Sequence, residues 1–171
     1  VGRGVDRVTE WAYRPVEIAN LLNPAFCSVI IFETAKTYQK ELDSAIPYSL
    51  TFLILPIVLH ESTRERLPKS VATKMHSWIQ KNSDLKIGFS ERVKQMVPYT
   101  KEGLIFSFNM RVLQVNEQRH TIVAFQPAIK RPKWGSDTEA HRCVTKAALL
   151  GKLFAKAGDA STIFAMWGVQ P

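Results

Sequence analysis

FSERVKQMVPYTKEGLIFSFNMRVLQVNEQRHTIVAF runs from Phe89 to Phe125, and the apolar period changes once along it. Leu85, Phe89, Val93 and Met96 recur at helical spacing, with Ser83 as a cap, although Gly88 weakens the start of that helix. Pro98 suits the first position of a new helix, where a missing N–H leaves no carbonyl unserved. That helix carries Leu104, Ile105 and Phe108. Val112 to Val115 and Thr121 to Phe125 then read as short strands around the turn NEQRH. Upstream, Val71, Met75, Trp78 and Ile79 mark another helix. Three helices followed by a two-stranded hairpin is the order of a winged helix-turn-helix. The expected fold is mainly α: a helical bundle with a winged helix-turn-helix-like portion.

The rest of the chain arranges itself around this segment. Residues 1–13 read as an N-terminal tail that Trp11 and Tyr13 could anchor, and residues 14–171 as a single compact domain. Within it, 14–68 form an N-terminal helical part, 69–135 the winged-helix-like part, and 136–171 C-terminal helices. Pro15 opens one helix with Ile18, Leu21 and Leu22 on its apolar face. Asn23-Pro24 repeats the start signal, Asn as cap and Pro as first helical residue, for PAFCSVIIFETAKTYQKEL. The front of that helix is apolar on every side, so it enters a core or an interface. Pro47 opens a further buried segment down to His60, where Pro56 argues for a kink and against a central strand. The polar stretch Glu61 to Lys69 is the best internal boundary. Ser136 and Glu139 form a capping-box pattern before a helix carrying Cys143, Val144, Ala147, Leu150 and Phe154, and Gly158 ends it. The apolar tail STIFAMWGVQP should be docked.

The chain has 171 residues, 46% of them hydrophobic and 22% charged, which is an ordinary globular balance. Lys and Arg exceed Asp and Glu by 23 to 15, a net charge of +8 that favours acidic partners. The start VGRGVDRV lacks the apolar core of a signal peptide, and the longest apolar run, Leu50 to Leu59, is too short to span a bilayer. A cytoplasmic protein without a membrane partner is expected. Cys27 and Cys143 belong to no CxxC pair and read as free buried thiols.

Chemistry is hard to find. His60-Glu61 begins an HExxH pattern, but Arg64 stands where the second histidine belongs. A histidine at a helix end with ion-pairing neighbours explains it. The glycines form no phosphate-binding loop, and the acidic residues are scattered. No catalytic residue, metal site or cofactor is expected, and the chain does not read as an enzyme. Nucleic-acid contact is the stronger possibility. In a winged helix the last helix of the trio enters the major groove. Here that helix, PYTKEGLIFSFNM, carries Phe106 and Phe108 beside Lys101 and Glu102, which suits protein recognition better than base reading. The cations Arg111, Arg119, Lys130, Arg131 and Lys133 suit phosphate contacts, or else simply a solvated charged face.

Several segments together resemble a known family: RPVEIANLLNPAFCSVII, SLTFLILPIVLHESTRERLP, MHSWIQKN, IGFSERVKQMVPYTKEGLIF and TIFAMWGVQP. In this order they are similar to the middle component of bacterial three-component ABC systems, over about residues 14–171. The resemblance implies a non-enzymatic accessory subunit bridging an SMC- or Rad50-like ABC ATPase and an effector, often a nuclease, in defence against phages and plasmids. Double-stranded DNA would be met through the complex. The family carries no established catalytic residues. Arg14, Glu17, Asn20 and Asn23 then have two readings: helix caps, or parts of a docking surface. Trp11, Tyr13, Arg14, Glu17 and Phe26 match the aromatic and arginine composition of partner faces. A stand-alone winged-helix transcriptional regulator is the alternative reading of the whole chain.

Overall fold

Asn23 and Pro24 start the helix on which the rest of the molecule is assembled. The computed structural model describes residues 22–125 and 133–170. Helix α1, Pro24–Leu42, has the expected bounds: Asn23 Oδ1 accepts from the Ala25 N–H at 2.8 Å, and Asp43 closes the helix in a left-handed conformation. Its first residues and Val29 are half-buried, Cys27, Ser28 and 30–35 are buried, and its last turn is exposed. There follow β1 (Ile46–Pro47), a 3-10 turn (Tyr48–Leu50), α2 (Thr51–Val58), α3 (Glu61–Arg66) and α4 (Met75–Lys81). After a second 3-10 turn (Ser83–Lys86) come α5 (Phe89–Asn109), β2 (Leu113–Asn116), β3 (Thr121–Ala124), α6 (Glu139–Ala157) and α7 (Ala160–Trp167).

Helix α1 lies between α6 and α5, and also meets α2 and β3. Two glycines let its neighbours approach. A Cβ at Gly151 of α6 would overlap the Thr34 carbonyl and the Thr37 hydroxyl, and a Cβ at Gly103 of α5 would sit 3.0 Å from that of Cys27. Short polar links cross these contacts. Thr34 Oγ1 donates to Ala147 O at 3.0 Å, and the Ser28 and Ser107 hydroxyls lie 2.7 Å apart. These hydroxyls have partners, as burial in an apolar setting favours, whereas the buried Thr100 hydroxyl of α5 has none among the described residues. The apolar tail is docked: Trp167 stacks on Phe89 at 4.4 Å between ring centroids and lies 5.9 Å from Trp78.

The winged-helix segment departs from expectation in its helices. Pro98 opens no third helix; it lies inside the single 21-residue helix α5. A mid-helix proline removes one hydrogen bond and costs about 3 kcal/mol. The face Phe89, Val93, Thr100, Gly103, Leu104 and Ser107 is buried on both sides of Pro98, and that packing carries the helix through. Ser83 caps no long helix either. Ile87 closes the second 3-10 turn, and Gly88, at φ 69°, is the N-cap position of α5. The hairpin is present, and β1 joins it in a small antiparallel sheet of order β1–β3–β2. The structure is therefore a mainly α bundle with a small antiparallel sheet. The capping residue of α6 is Thr138, whose Oγ1 accepts from the His141 N–H at 3.2 Å, and not Ser136. Within the stretch 61–69, residues Glu61–Arg66 form α3.

Candidate functional site

Reactive side chains in the core serve the fold. His60 caps α3: Nδ1 accepts from the Thr63 N–H at 3.3 Å and lies 2.8 Å from Thr63 Oγ1. Burial, then the nearby Arg92 and Arg64, hold its pKa below the usual histidine value, so the neutral ring that can accept is the favoured form. Arg64, 1% exposed, donates to Val58 O and Glu139 Oε1, each at 3.0 Å. Cys143 is buried nearby. Burial pushes its thiol pKa up despite Arg64, which is the opposite of what a nucleophile needs. Among the described residues no group of three or more His, Cys, Asp or Glu could hold a metal ion.

Among the described residues, Leu42, Tyr48 and Ile87 are exposed apolar side chains away from the hairpin, and five more belong to the hairpin or to the end of the helix that leads into it. Ile105, Phe106 and Met110 lie on the last turns of α5, Val115 on β2, and Phe125 just after β3. A shallow groove of about 600 Å³ is lined by Phe108, Arg111, Leu113, Gln114, Val115 and Phe125. Arg111 sits at its end with φ 55°, a left-handed conformation uncommon for a long side chain, its N–H donating to Phe108 O at 3.0 Å.

The two sides of the sheet differ in how their backbone is satisfied. Phe125 N–H donates to Val112 O at 3.0 Å, one step before the Leu113–Ala124 pair. Bonded and non-bonded pairs alternate in an antiparallel ladder. Gln114 and Asn116 therefore bond to β3, and the N–H and C=O groups of Leu113 and Val115 point away from it. On the far side of β3, Ile122 pairs with Ile46 of β1. Where β1 ends, the Gln39 side chain takes over: Oε1 accepts from Ala124 N–H at 3.0 Å and Nε2 donates to Ala124 O at 3.4 Å. One side chain on α1 stands in for a missing strand residue.

Arg111 and Arg119 are exposed at opposite ends of β2, and Lys133 is exposed just before α6. Lys130 and Arg131 lie outside the described residues, as do Trp11, Tyr13, Arg14 and Glu17. Phe26 is half-buried at the start of α1, where it meets Trp134 edge-on at 6.0 Å, next to Lys133. Sequence reasoning missed the Gln39 contact. Hydrogen-bond direction depends on register, which no residue type announces. The aromatic pair Phe106 and Phe108 was the readable signal.

Helices around one core and a three-stranded antiparallel sheet define a small, mainly helical domain. Residues 11–171 match the family model described as ABC-three component (ABC-3C) system Middle Component 3, and the chain belongs to that family. It is an accessory component of a three-component ABC system. No curated protein and no solved structure matches the chain. No helix among the described residues is long and apolar enough to cross a membrane.

Proposed function

We propose that this middle component bridges an SMC- or Rad50-like ABC ATPase and an effector, a nuclease in the first instance, in a cytoplasmic bacterial complex acting against phages and plasmids. The family match over residues 11–171 carries the reading, since a three-component system requires an ATPase and an effector beside the middle component. The exposed apolar end near the hairpin supports it, because clustered apolar side chains with arginine at the rim suit protein contact. The segment Trp11 to Glu17, with Phe26, is a second proposed contact. The test is co-expression with the products of the neighbouring genes, followed by size exclusion with mass determination. A stable complex containing an ABC ATPase is expected. A lone chain with affinity for neither neighbour overturns the reading.

The second reading is a stand-alone DNA-binding regulator, with the β2–β3 hairpin as a wing touching phosphate. The charge of +8 and the exposed Arg111 and Arg119 favour it. It requires tight duplex binding that falls steeply with salt. Replacing Lys130, Arg131 and Lys133 by Glu must then weaken binding; unchanged affinity removes that site.

A further inference from the structure

We infer that the solvent face of α6 binds the phosphate backbone of a nucleic-acid duplex through Arg142, Lys146, Lys152 and Lys156. The four cations lie on the side of the helix away from the buried Cys143, Ala147, Leu150 and Phe154. At 3.6 residues per turn their positions fall within about a third of a turn of one another, and at 1.5 Å per residue they mark a line of about 21 Å. Arg142 and Lys156 are exposed, and Lys146 and Lys152 are half-buried, as long cationic side chains are when their stems lie along a helix. From Ala140 to Gly158 the chain contains these four Lys and Arg and no Asp or Glu. Helix α4 packs against α6, and the stretch Leu67 to Ser83 around it adds Lys69, Lys74 and Lys81, all exposed, again with no acid. Helix α5 is different: there Glu91 and Glu102 are interspersed among Arg92, Lys94 and Lys101.

The chain leaves this face largely unneutralised. Arg142 and Lys146, and again Lys152 and Lys156, are like charges four residues apart, a spacing that weakens a helix. Arg142 also sits in the first turn, where the helix dipole disfavours a cation. Glu65 borders the same small hollow as Arg142 and Lys146, but Glu65 and Glu139 are both held by buried Arg64, at 3.3 and 3.0 Å. Lys156 reaches Glu41 at 4.0 Å. Lys146 and Lys152 pair with no carboxylate among the described residues. An anion from outside would relieve this arrangement. Protein partners are a poor match, because their interfaces are depleted in lysine and centred on aromatic residues, and Leu149 is the one apolar side chain along the line. Single strands need aromatic side chains for base stacking, and the line has none. A membrane surface needs an apolar face to insert, and that of α6 is spent in the core. A duplex carries about one charge per 1.7 Å of its axis, so a straight row of cations meets phosphates without reading bases. The site is separate from the hairpin and loop cations, and it does not depend on the bridging role.

Anisotropy titrations of labelled DNA and RNA duplexes with the full chain, repeated over a salt series, test it. The unaltered chain should bind at least one duplex, with affinity falling steeply as salt rises. Lys146→Gln with Lys152→Gln should weaken binding roughly ten-fold at low salt and lower the salt slope by about two. Lys146→Arg with Lys152→Arg should keep both affinity and slope. The glutamine pair should melt no lower than the unaltered chain, since it removes like-charge repulsion. If it does melt lower, Arg142→Gln with Lys156→Gln is titrated and judged by the same criterion. Binding of DNA, of RNA or of both supports the site and names the source of its phosphates. The inference is overturned if the neutralised chain keeps full affinity and slope, or if the unaltered chain binds neither duplex. A polyglutamate peptide that binds at least as tightly as either duplex overturns it in favour of an acidic protein. Loss of binding on replacing Lys130, Arg131 and Lys133 by Glu, with none on neutralising α6, overturns it in favour of the hairpin reading. Co-purification with the ATPase bears on the bridging role alone, so the two readings fail separately.

Discussion

The seat of α1 and the edge of β2 both bare the backbone, with opposite results. At Gly151 and Gly103 the missing side chains let helices lie against α1, and nearby hydroxyls find partners across the contact. At Val115 the backbone groups point away from β3 and the residue is exposed, whereas Leu113 on the same strand is buried. The difference teaches where this fold is finished and where it is open. Most polar groups at the seat of α1 are paired within the chain, since leaving one unpaired costs about 1–3 kcal/mol, and the buried Thr100 hydroxyl on α5 is an exception. At exposed Val115 water can serve its outward backbone groups, so stability alone does not require a partner there.

The comparison can be broken most forcefully at Gly151. Gly151→Ala should destabilise by about 3 kcal/mol, although alanine favours helix by about 1 kcal/mol, because the new Cβ meets backbone that cannot move away. Urea unfolding measures this, and an unchanged midpoint would mean that α6 and α1 are not in such close contact. Gly103→Ala meets side-chain carbon instead, so its loss should be smaller, about 1–2 kcal/mol. Gln39→Ala should cost about 1 kcal/mol and open the Ala124 amide to exchange, baring the closed side of the sheet. If the Ala124 amide stayed protected, something other than Gln39 seals that side.

His60 sharpens the comparison through pH. Its folded pKa lies below the usual value of 6.5, so the unfolded chain takes up a proton first as pH falls. Its contribution is complete above that value and is lost as pH drops through and below it. His60→Asn keeps a capping side chain and should flatten stability across that window, as thermal melts between neutral and mildly acidic pH would show. The smallest effect belongs to the open edge. Val115→Thr should change stability by less than about 0.5 kcal/mol, since the side chain is exposed at a strand margin; a larger loss in urea would place Val115 in the core.

Much of this was readable in the residues. Asn23-Pro24 marks α1 to the residue, Gly158 marks the end of α6, and the apolar tail docks through Trp167. The hairpin lies within a residue of its expected place. Pro98 misled because a local start signal was weighed against a buried face that passes through small or polar residues. Thr100, Gly103 and Ser107 carry no hydrophobic mark, yet all three are buried against neighbouring helices. The cap of α6 was misplaced for a similar reason: Ser136 and Thr138 are both competent, and only the chain's path selects Thr138.

Caps, breakers and apolar period act within a few residues, so the sequence alone determined α1, the end of α6 and the hairpin, and its segments pointed to the family. Tertiary structure alone decided that α5 continues through Pro98, that α1 rests on two glycine contacts, and that Gln39 closes one side of the sheet. Those outcomes depend on groups far apart in the chain, such as Gln39 and Ala124, or Thr34 and Ala147, whose meeting is set by how whole elements pack.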